Sequence, residues 1–221
     1  MACHSPFTVS VVQVLQFSIN VTVTAPTIDS FHLSVVYGPL DSRCMEPFLA
    51  ELVSARALLP GPWLLIGDFN LISSTAEKNN ANINKRSLAS FRRFISDQEL
   101  KDLHLFGWRF TWSNERASPT LVRLDRALTS SEWDALFPDC MLQALSSDSS
   151  IHCPLLLTSS VSSRCRRRFH FESFWTKQSG FLEVAQKGWT LRPAELPLLP
   201  SSALVSCSGA RQGPCRAGAV K

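Results

Sequence analysis

The 221-residue sequence has few charged side chains, no regularly spaced cysteines and no long apolar run. Charged residues make up 18% of the chain and hydrophobic residues 45%, a balance that excludes wholesale disorder. The seven cysteines include no Cys-x-x-Cys pair and are odd in number, which argues against a zinc knuckle and a disulfide framework. No segment approaches the roughly 20 apolar residues of a membrane span, and no signal-peptide pattern is found. We therefore predict an intracellular protein, nuclear or cytoplasmic and not secreted, with no membrane partner.

The chain has a single tyrosine, Tyr37, among 14 Phe and 6 Trp. This aromatic content is ample for one buried core, so one domain followed by a tail is the simplest organisation. Charge is divided unevenly: residues 1–160 carry 12 basic and 15 acidic side chains, whereas residues 161–221 carry 10 and 3. An arginine-rich run at 164–168 leads this basic excess and is typical of either a nucleic-acid contact or a solvated linker.

Periodicity predicts the first elements of an α/β fold. Segments 17–24 and 31–37 alternate apolar and polar residues, which predicts a β-hairpin with a six-residue loop between them. The sheet is expected to begin near Phe17 and to expose a long apolar edge there. An amphipathic helix is predicted at 43–59, and the apolar run at 63–66 is typical of a central strand buried on both faces.

Beyond residue 70, strands and helices alternate irregularly, which indicates an α/β sandwich. A second helix is predicted from apolar residues on one face, namely Leu88, Phe91, Phe94 and Ile95. Short strands are predicted at 101–105, 109–113, 121–128, 140–146 and 154–158, with a helix at 131–137. The resulting division is a domain at 1–160, a linker at 161–190 and a disordered tail at 191–221.

The first candidate site is Gly67-Asp68-Phe69-Asn70, at the end of the predicted buried strand. Active sites of α/β folds are built at such strand ends. Asp68 can bind a divalent metal ion or orient an attacking water, and Asn70 can hold a phosphate oxygen. The same Asp-x-Asn pattern is also typical of an Asx turn with no catalytic role.

Four motifs in a fixed order carry a family resemblance. They are Tyr37-Gly38-Pro39, Gly67-Asp68-Phe69-Asn70, Leu124-Asp125-Arg126, and Ser147-Asp148 followed by His152-Cys153-Pro154-Leu155. This order and spacing resemble the endonuclease/exonuclease/phosphatase superfamily. The connecting segments 109–114 and 169–175 look like the endonuclease of plant LINE-type (non-LTR) retrotransposons, and the resemblance covers roughly residues 6–190.

The resemblance implies the C-terminal part of a four-layer α/β sandwich, in which two mixed β-sheets are flanked by helices. It also implies a phosphodiesterase that depends on Mg²⁺ or Mn²⁺, acts on DNA and uses no small-molecule cofactor. Tyr37 would contact the scissile phosphate, Asp68 would align or activate the water, and Asn70 would bind a phosphate oxygen. Asp125 would orient the ring of His152, which would stabilise the charged transition state or move a proton.

Non-catalytic interpretations of the same residues also remain open. Asp125 is also a candidate surface partner of Arg123, and a histidine at a sheet edge often has no catalytic role. Trp112 and Asn114 are candidates for lining the substrate pocket, although an aromatic at position 112 suits a core equally well. The ordered set of motifs favours the family interpretation over each single alternative.

Two departures from the family predict weak or absent nicking. The family's N-terminal Asn-x-Arg-Gly and Gln-Glu-Thr segments, the second with a metal-binding Glu, have no counterpart in residues 1–36, as expected of an N-terminally truncated domain. Ile151 precedes His152 where the family has Asp, and Asp148 lies four residues before His152. The metal ligands and the oligomeric state are therefore left unassigned. Two alternatives remain, a non-catalytic nucleic-acid binder using the 164–168 run and a phosphatase of the same superfamily.

Overall fold

The computed structural model describes residues 7–26, 28–147, 150–158, 176–177 and 179–190, which fall into two compact units. The second unit spans Thr176–Lys221 and contains one described helix, Phe181–Thr190, which the sequence analysis did not predict. In this helix Lys187 pairs with Glu183 one turn earlier at 2.8 Å. The arginine-rich run at 164–168 and the predicted tail at 191–221 lie outside the described residues.

The first unit, Met1–Trp175, contains eleven described strands and three described α-helices. The strands are β1 Thr8–Val14, β2 Ser18–Ala25, β3 Ile28–Tyr37, β4 Trp63–Asp68, β5 Lys101–Asp102, β6 Leu105–Phe106, β7 Trp112–Ser113, β8 Leu121–Val122, β9 Asp125–Thr129, β10 Met141–Ala144 and β11 Leu155–Thr158. The helices are α1 Met45–Leu58, α2 Lys85–Asp97 and α3 Ser131–Leu136, and Phe181–Thr190 is α4.

Six strands form the main sheet, in the order β1-β2-β3-β4-β9-β5. β3 and β4 are parallel and the other pairs are antiparallel, so the sheet is mixed. A second mixed sheet has the order β11-β10-β6, and β7 pairs with β8 as a separate ribbon. β4 lies inside the main sheet, and its residues Trp63, Leu64 and Leu65 are buried, which confirms the predicted central strand.

Apolar side chains cover both faces of the main sheet. On one face Phe48 and Leu52 of α1 and Phe91 of α2 pack with Phe69. The other face carries a second cluster that joins the main sheet to β6, β10 and α3, with Val21, Val23, Phe31, Leu64, Trp133 and Leu142 among its buried members. The predicted α/β fold with two mixed sheets and helices is therefore confirmed.

Side-chain caps place the helices close to their predicted positions. Asp41 caps a 3₁₀ turn that precedes α1, Asn84 caps α2, and Ser130 caps α3 by accepting the backbone N–H of Trp133. The buried positions of α1 recur at helical spacing, as its amphipathic pattern predicted. Among the described residues no helix combines the length and apolarity of a bilayer span.

Two expectations about the start of the sheet are wrong. The strands of the hairpin continue into the predicted six-residue loop, because Ala25 pairs with Ile28 and only two residues separate β2 from β3. The sheet does not begin near Phe17, since β1 pairs with β2 in antiparallel register and takes the edge position. The exposed apolar edge exists one strand earlier, where Val11 and Val14 are 65% and 67% exposed.

Candidate active site

The candidate residues gather where β4 ends. Tyr37 on β3 and Asp125 on β9 are the strand partners of Asp68, on either side of it. Because directly paired residues in a sheet project to the same face, the carboxylates of Asp68 and Asp125 lie side by side. Three adjacent strands thus bring Tyr37, Asp68 and Asp125 together, at the ends of β3 and β4 and at the start of β9.

A glycine allows the chain after β3 to touch the chain after β4. The N–H of Gly38 donates to the carbonyl of Asp68 at 2.7 Å. A Cβ atom at position 38 would lie 2.2 Å from the carbonyl oxygen of Phe69, closer than real Cβ contacts allow. The Tyr-Gly-Pro motif therefore has a packing reason for its glycine, which is that the backbone beside Asp68 leaves no room for a side chain.

Asn70 is held in place by two hydrogen bonds. Its backbone N–H donates to Asp68 Oδ1 at 2.8 Å, and its side-chain Nδ2 donates to the carbonyl of Gly38 at 2.8 Å. The backbone of Asn70 has φ 50°, a left-handed conformation that Asn adopts more readily than most residues. The Asx turn, which the sequence offered as a non-catalytic alternative, is thus present. It also fixes the carboxylate and the carboxamide at the end of β4, so the two interpretations are compatible.

His152 lies between the two carboxylates. Its Nδ1 is 2.9 Å from Asp125 Oδ2, and its Nε2 is 4.0 Å from Asp68 Oδ2. A carboxylate only accepts hydrogen bonds, so Nδ1 carries a hydrogen in this contact and Nε2 faces Asp68. The side chain of His152 is 32% exposed. Asp125 therefore orients the ring and leaves Nε2 at a solvent-accessible position.

Asp125 does not pair with Arg123, the alternative that the sequence left open. Arg123 instead contacts the carboxylates of Asp102 at 2.8 Å and Glu77 at 3.5 Å. The carboxylate of Asp125 faces His152, and its strand partner is Asp68.

Thr111 is a central residue of the site that the sequence analysis missed. Its Oγ1 accepts the backbone N–H groups of Leu124 and Asp125, each at 3.0 Å, and its carbonyl accepts the N–H of Cys153 at 2.7 Å. Thr111 is fully buried, and its bonds join Cys153, the residue after His152, to the start of β9. It lies within the 109–114 segment that carried the resemblance, but a buried threonine has no sequence signal of its own.

Burial dominates the electrostatics of Asp68. Desolvation raises the pKa of this carboxyl above its ordinary value of 3.8, and the nearby Asp125 raises the pKa further. The N–H of Asn70 opposes the shift, but the net direction is upward. Burial and Asp125 also raise the pKa of the Cys153 thiol, which disfavours a thiolate nucleophile beside His152.

A cavity of about 340 Å³ opens beside Asp125 and His152, and its lining is completed by Ile66, Gly67, Ser150, Cys153, Pro154 and Leu155. Asp68 and Asn70 are not part of this lining. Tyr37, which is 66% exposed, stands at the end of β3 outside this lining. Trp112 and Asn114 are likewise outside it. Trp112 forms a β-bridge with His152, and Asn114 Oδ1 accepts the N–H of Thr120 at 2.9 Å, so the structure gives both residues a role in the local backbone.

Asp68, Asp125 and His152 also fit a divalent cation. One ligand atom from each residue lies within 4.8 Å of the others, and two carboxylates with an imidazole suit ions such as Mn²⁺. The neighbouring side chain, Ile151, offers no ligand atom and is 45% exposed. Asp148, the possible substitute for the missing acid, lies outside the described residues.

Comparisons with known proteins identify the family and the fold. A model of the Endonuclease/Exonuclease/phosphatase family matches residues 5–148. The endonuclease domain of TRAS1, a telomere-specific non-LTR retrotransposon, is 16% identical over 70% of each chain, with a TM-score of 0.54. The 3′ phosphatase NExo from Neisseria, solved with a product DNA hairpin, is 18% identical over 67% of this chain and 68% of that chain, with a TM-score of 0.48. No curated protein sequence matches the chain. The chain belongs to the Endonuclease/Exonuclease/phosphatase family and shares its fold with a retrotransposon endonuclease domain.

Proposed function

We propose that this chain is a retrotransposon-derived endonuclease domain that binds the phosphodiester of DNA and has reduced nicking activity. The observation that carries the proposal is the His152 ring between Asp68 and Asp125, at 4.0 and 2.9 Å. Phosphodiester cleavage depends on charge stabilisation and positioning more than on covalent catalysis, and this arrangement supplies both. Similarity to the TRAS1 domain supports DNA as the substrate class, and we propose that the chain acts on it inside the cell.

The residues have distinct roles in this proposal. Asp125 holds Nδ1 of His152, so the opposite nitrogen is presented to a phosphate oxygen and, when protonated, donates to it. Asp68, beside Nε2, orients a water for in-line attack. The side-chain amide of Asn70 donates one of its two hydrogens to the carbonyl of Gly38. Its second hydrogen is left to contact a phosphate oxygen beside Asp68. Tyr37, exposed at the end of the neighbouring strand, contacts the same phosphate.

A divalent cation would be held by Asp68, Asp125 and the unprotonated Nε2 of His152, in place of the hydrogen bond from Nε2 to phosphate. Bound there, it would neutralise charge on the phosphate and lower the pKa of a water. The chain's own residues limit this binding, because Asp125 already accepts a hydrogen bond from His152 and Ile151 adds no charge. Affinity for hard cations rises with the number of charged oxygen ligands. We therefore propose weak binding of Mg²⁺ or Mn²⁺ and weak nicking.

The experiment is a plasmid-nicking assay in Mg²⁺ and in Mn²⁺, paired with a binding assay on a short DNA duplex. We expect little nicking by the unmodified chain and none by Asp68→Asn, while Asn70→Ala and His152→Ala each weaken duplex binding. Strong nicking that Asp68→Asn abolishes would refute the reduced activity. Duplex binding that neither Asn70→Ala nor His152→Ala changes would refute the phosphodiester site itself.

The alternatives predict different results in the same assays. Turnover of a phosphoinositide without any nicking of DNA would indicate a phosphatase. The basic excess of residues 161–221 favours a second candidate function, which is nucleic-acid binding through the arginines at 164–168. In that case changing these arginines to Ala weakens DNA binding and reduces its dependence on salt, whereas Asn70→Ala has no effect.

A further inference from the structure

Four charged residues form a buried ion cluster next to β9, consisting of Glu77, Asp102, Arg123 and Arg126. Arg126 is fully buried, and the side chains of the other three are between 12% and 15% exposed. Arg126 contacts Glu77 at 3.0 Å and Asp102 at 2.5 Å, while Arg123 contacts Asp102 at 2.8 Å. Two arginines thus face two carboxylates, and the cluster has no net charge.

The carboxylate of Glu77 anchors the loop that follows Asp68 and Asn70. It accepts the backbone N–H of Ser73 at 2.7 Å, and it caps the 3₁₀ turn Thr75–Glu77. Arg126 also donates to the carbonyl of Leu71 at 3.0 Å, and the N–H of Arg123 donates to the carbonyl of Glu77 at 2.9 Å. Loop 71–77 is therefore bonded to both arginines that flank Asp125.

Asp102 lies on the other side of β9, in β5. It faces the same two arginines as Glu77 but belongs to the strand at the far edge of the main sheet. Glu77 and Asp102 therefore make similar contributions to the charge balance of the cluster. They differ in what they connect, because the Glu77 carboxylate belongs to the loop that continues from the site, whereas Asp102 belongs to β5.

The pairing of β4 with β9 ends at Asp68 and Asp125, so these two like charges are not held by any further ladder pair. Repulsion between them favours separation of the two chains at this point. Beyond this last pair the Phe69 N–H bonds the Leu124 carbonyl at 3.0 Å, the ion cluster follows, and Asn79 then bonds the backbone of Leu121. Buried ion pairs are costly to desolvate and often contribute less stability than apolar residues would. The ion cluster beside the site is thus better explained by a role in positioning loop 71–77 than by a contribution to stability.

We infer that Glu77 and Arg126 are positioning residues, which hold loop 71–77, directly after Asn70, against β9 and so fix the spacing of Asp68, Asp125 and His152. Removal of the Glu77 charge removes the ion pair between loop 71–77 and Arg126. The bonds to the backbone carbonyls of Leu71 and Glu77 remain, so the loop is held more weakly and the two carboxylates move apart. Removal of the Asp102 charge disturbs the same arginines but leaves this loop attached. The Mn²⁺-binding test of this inference rests on the proposed function, whereas the hydrogen-exchange test does not.

The test compares Glu77→Gln with Asp102→Asn, two nearly isosteric changes that each remove one negative charge from the same cluster. Mn²⁺ affinity is measured by water-proton relaxation well below the melting temperature of both variants. Changes in residues that orient metal ligands typically weaken affinity about 10–100-fold, and we expect a loss of this size for Glu77→Gln. For Asp102→Asn we expect a change smaller than about threefold by the same reasoning.

Amide hydrogen exchange supplies a readout that needs no cation and no activity. Glu77→Gln should speed exchange at the amides of Phe69 and Asn70, whereas Asp102→Asn should leave these two amides as protected as in the unmodified chain. Equal effects of both variants on these amides, in proportion to their loss of thermal stability, would show that the cluster is only structural. If the unmodified chain binds no Mn²⁺, the proposed cation site fails and the exchange result alone decides the inference. If Glu77→Gln does not fold, Glu77→Asp, which keeps the charge but has a shorter reach, replaces it.

Discussion

Replacement of Thr111 by Val tests whether one buried hydroxyl holds the two halves of the site together. Val has nearly the shape of Thr, so it fills the same space but offers no acceptor to the N–H groups of Leu124 and Asp125. Both donors would be left in the interior without their present partner. The segment that begins β9 would then lose its fixed position relative to the carbonyl of Thr111, which bonds Cys153 next to His152.

The expected loss of stability follows from the two backbone amides. A buried donor left without an acceptor costs about 1–3 kcal/mol, so the two donors together should lower the free energy of unfolding by about 2–6 kcal/mol in Thr111→Val. For a domain of this size, about 1 kcal/mol corresponds to about 2–4 °C, which gives a fall in melting temperature of about 4–24 °C. Thr111→Ser keeps the hydroxyl and loses one buried methyl group, and should cost only about 1 kcal/mol.

Thermal and urea unfolding followed by circular dichroism measure these differences, and hydrogen exchange at Leu124 and Asp125 locates them. We expect both amides to exchange faster in Thr111→Val and to stay protected in Thr111→Ser. If the two variants melt at the same temperature, the hydroxyl is not the acceptor on which the site depends. The reasoning would then be wrong even if both variants were less stable than the unmodified chain.

Three further predictions concern the same edge of the sheet. Because burial raises the pKa of Asp68, its charge lowers stability above that pKa, and this cost disappears as pH falls towards 3.8. Asp68→Asn should therefore melt at a higher temperature than the unmodified chain at pH 7 in EDTA, and the difference should shrink in acid. A difference in melting temperature that does not depend on pH would contradict this. Gly38→Ala should prevent folding or cost more than about 4 kcal/mol, since its Cβ would overlap the Phe69 carbonyl, while Gly61→Ala, with open space around it and only a strained φ, should cost about 1 kcal/mol in the same melting experiment. Ile151→Asp adds an acid next to the histidine and should tighten Mn²⁺ binding by roughly tenfold with little change in stability, and Ile151→Asn, which adds no charge, should not.

The elements that sequence periodicity predicted well are those with strong local signals. The apolar face of α2 predicted a helix at this place, and the continuous apolar run of β4, predicted at 63–66, was found near the observed bounds of that strand. β1 was missed because its side chains are mostly exposed, and an edge strand without a buried face has no regular alternation to detect. The hairpin loop was predicted too long because the apolar–polar alternation is interrupted between residues 25 and 30, whereas the pairing continues to within two residues of the turn.

The site shows the same division between local and long-range information. Asp68 and Asn70 are close in sequence and their turn follows from local chemistry, whereas the approach of Asp125 to His152 depends on the resemblance to a family. Thr111 and Glu77 could not be identified from the sequence as residues of the site. Their importance comes from hydrogen bonds to segments far away along the chain, and a lone threonine or glutamate has no pattern that predicts such partners.

The bonds that hold the site explain why its geometry persists with a weak cation site. Asn70 is fixed through Gly38, and Asp125 is fixed through Thr111, which also bonds the residue after His152. All of these bonds come from the segment between residues 38 and 153. The affinity for a cation depends instead on the number of acids beside His152, and position 151 supplies none. If the proposed function is correct, Ile151→Asp should raise nicking in Mn²⁺ without changing the duplex affinity measured in EDTA, whereas a parallel change in both would show that phosphate binding and cation binding are not separable.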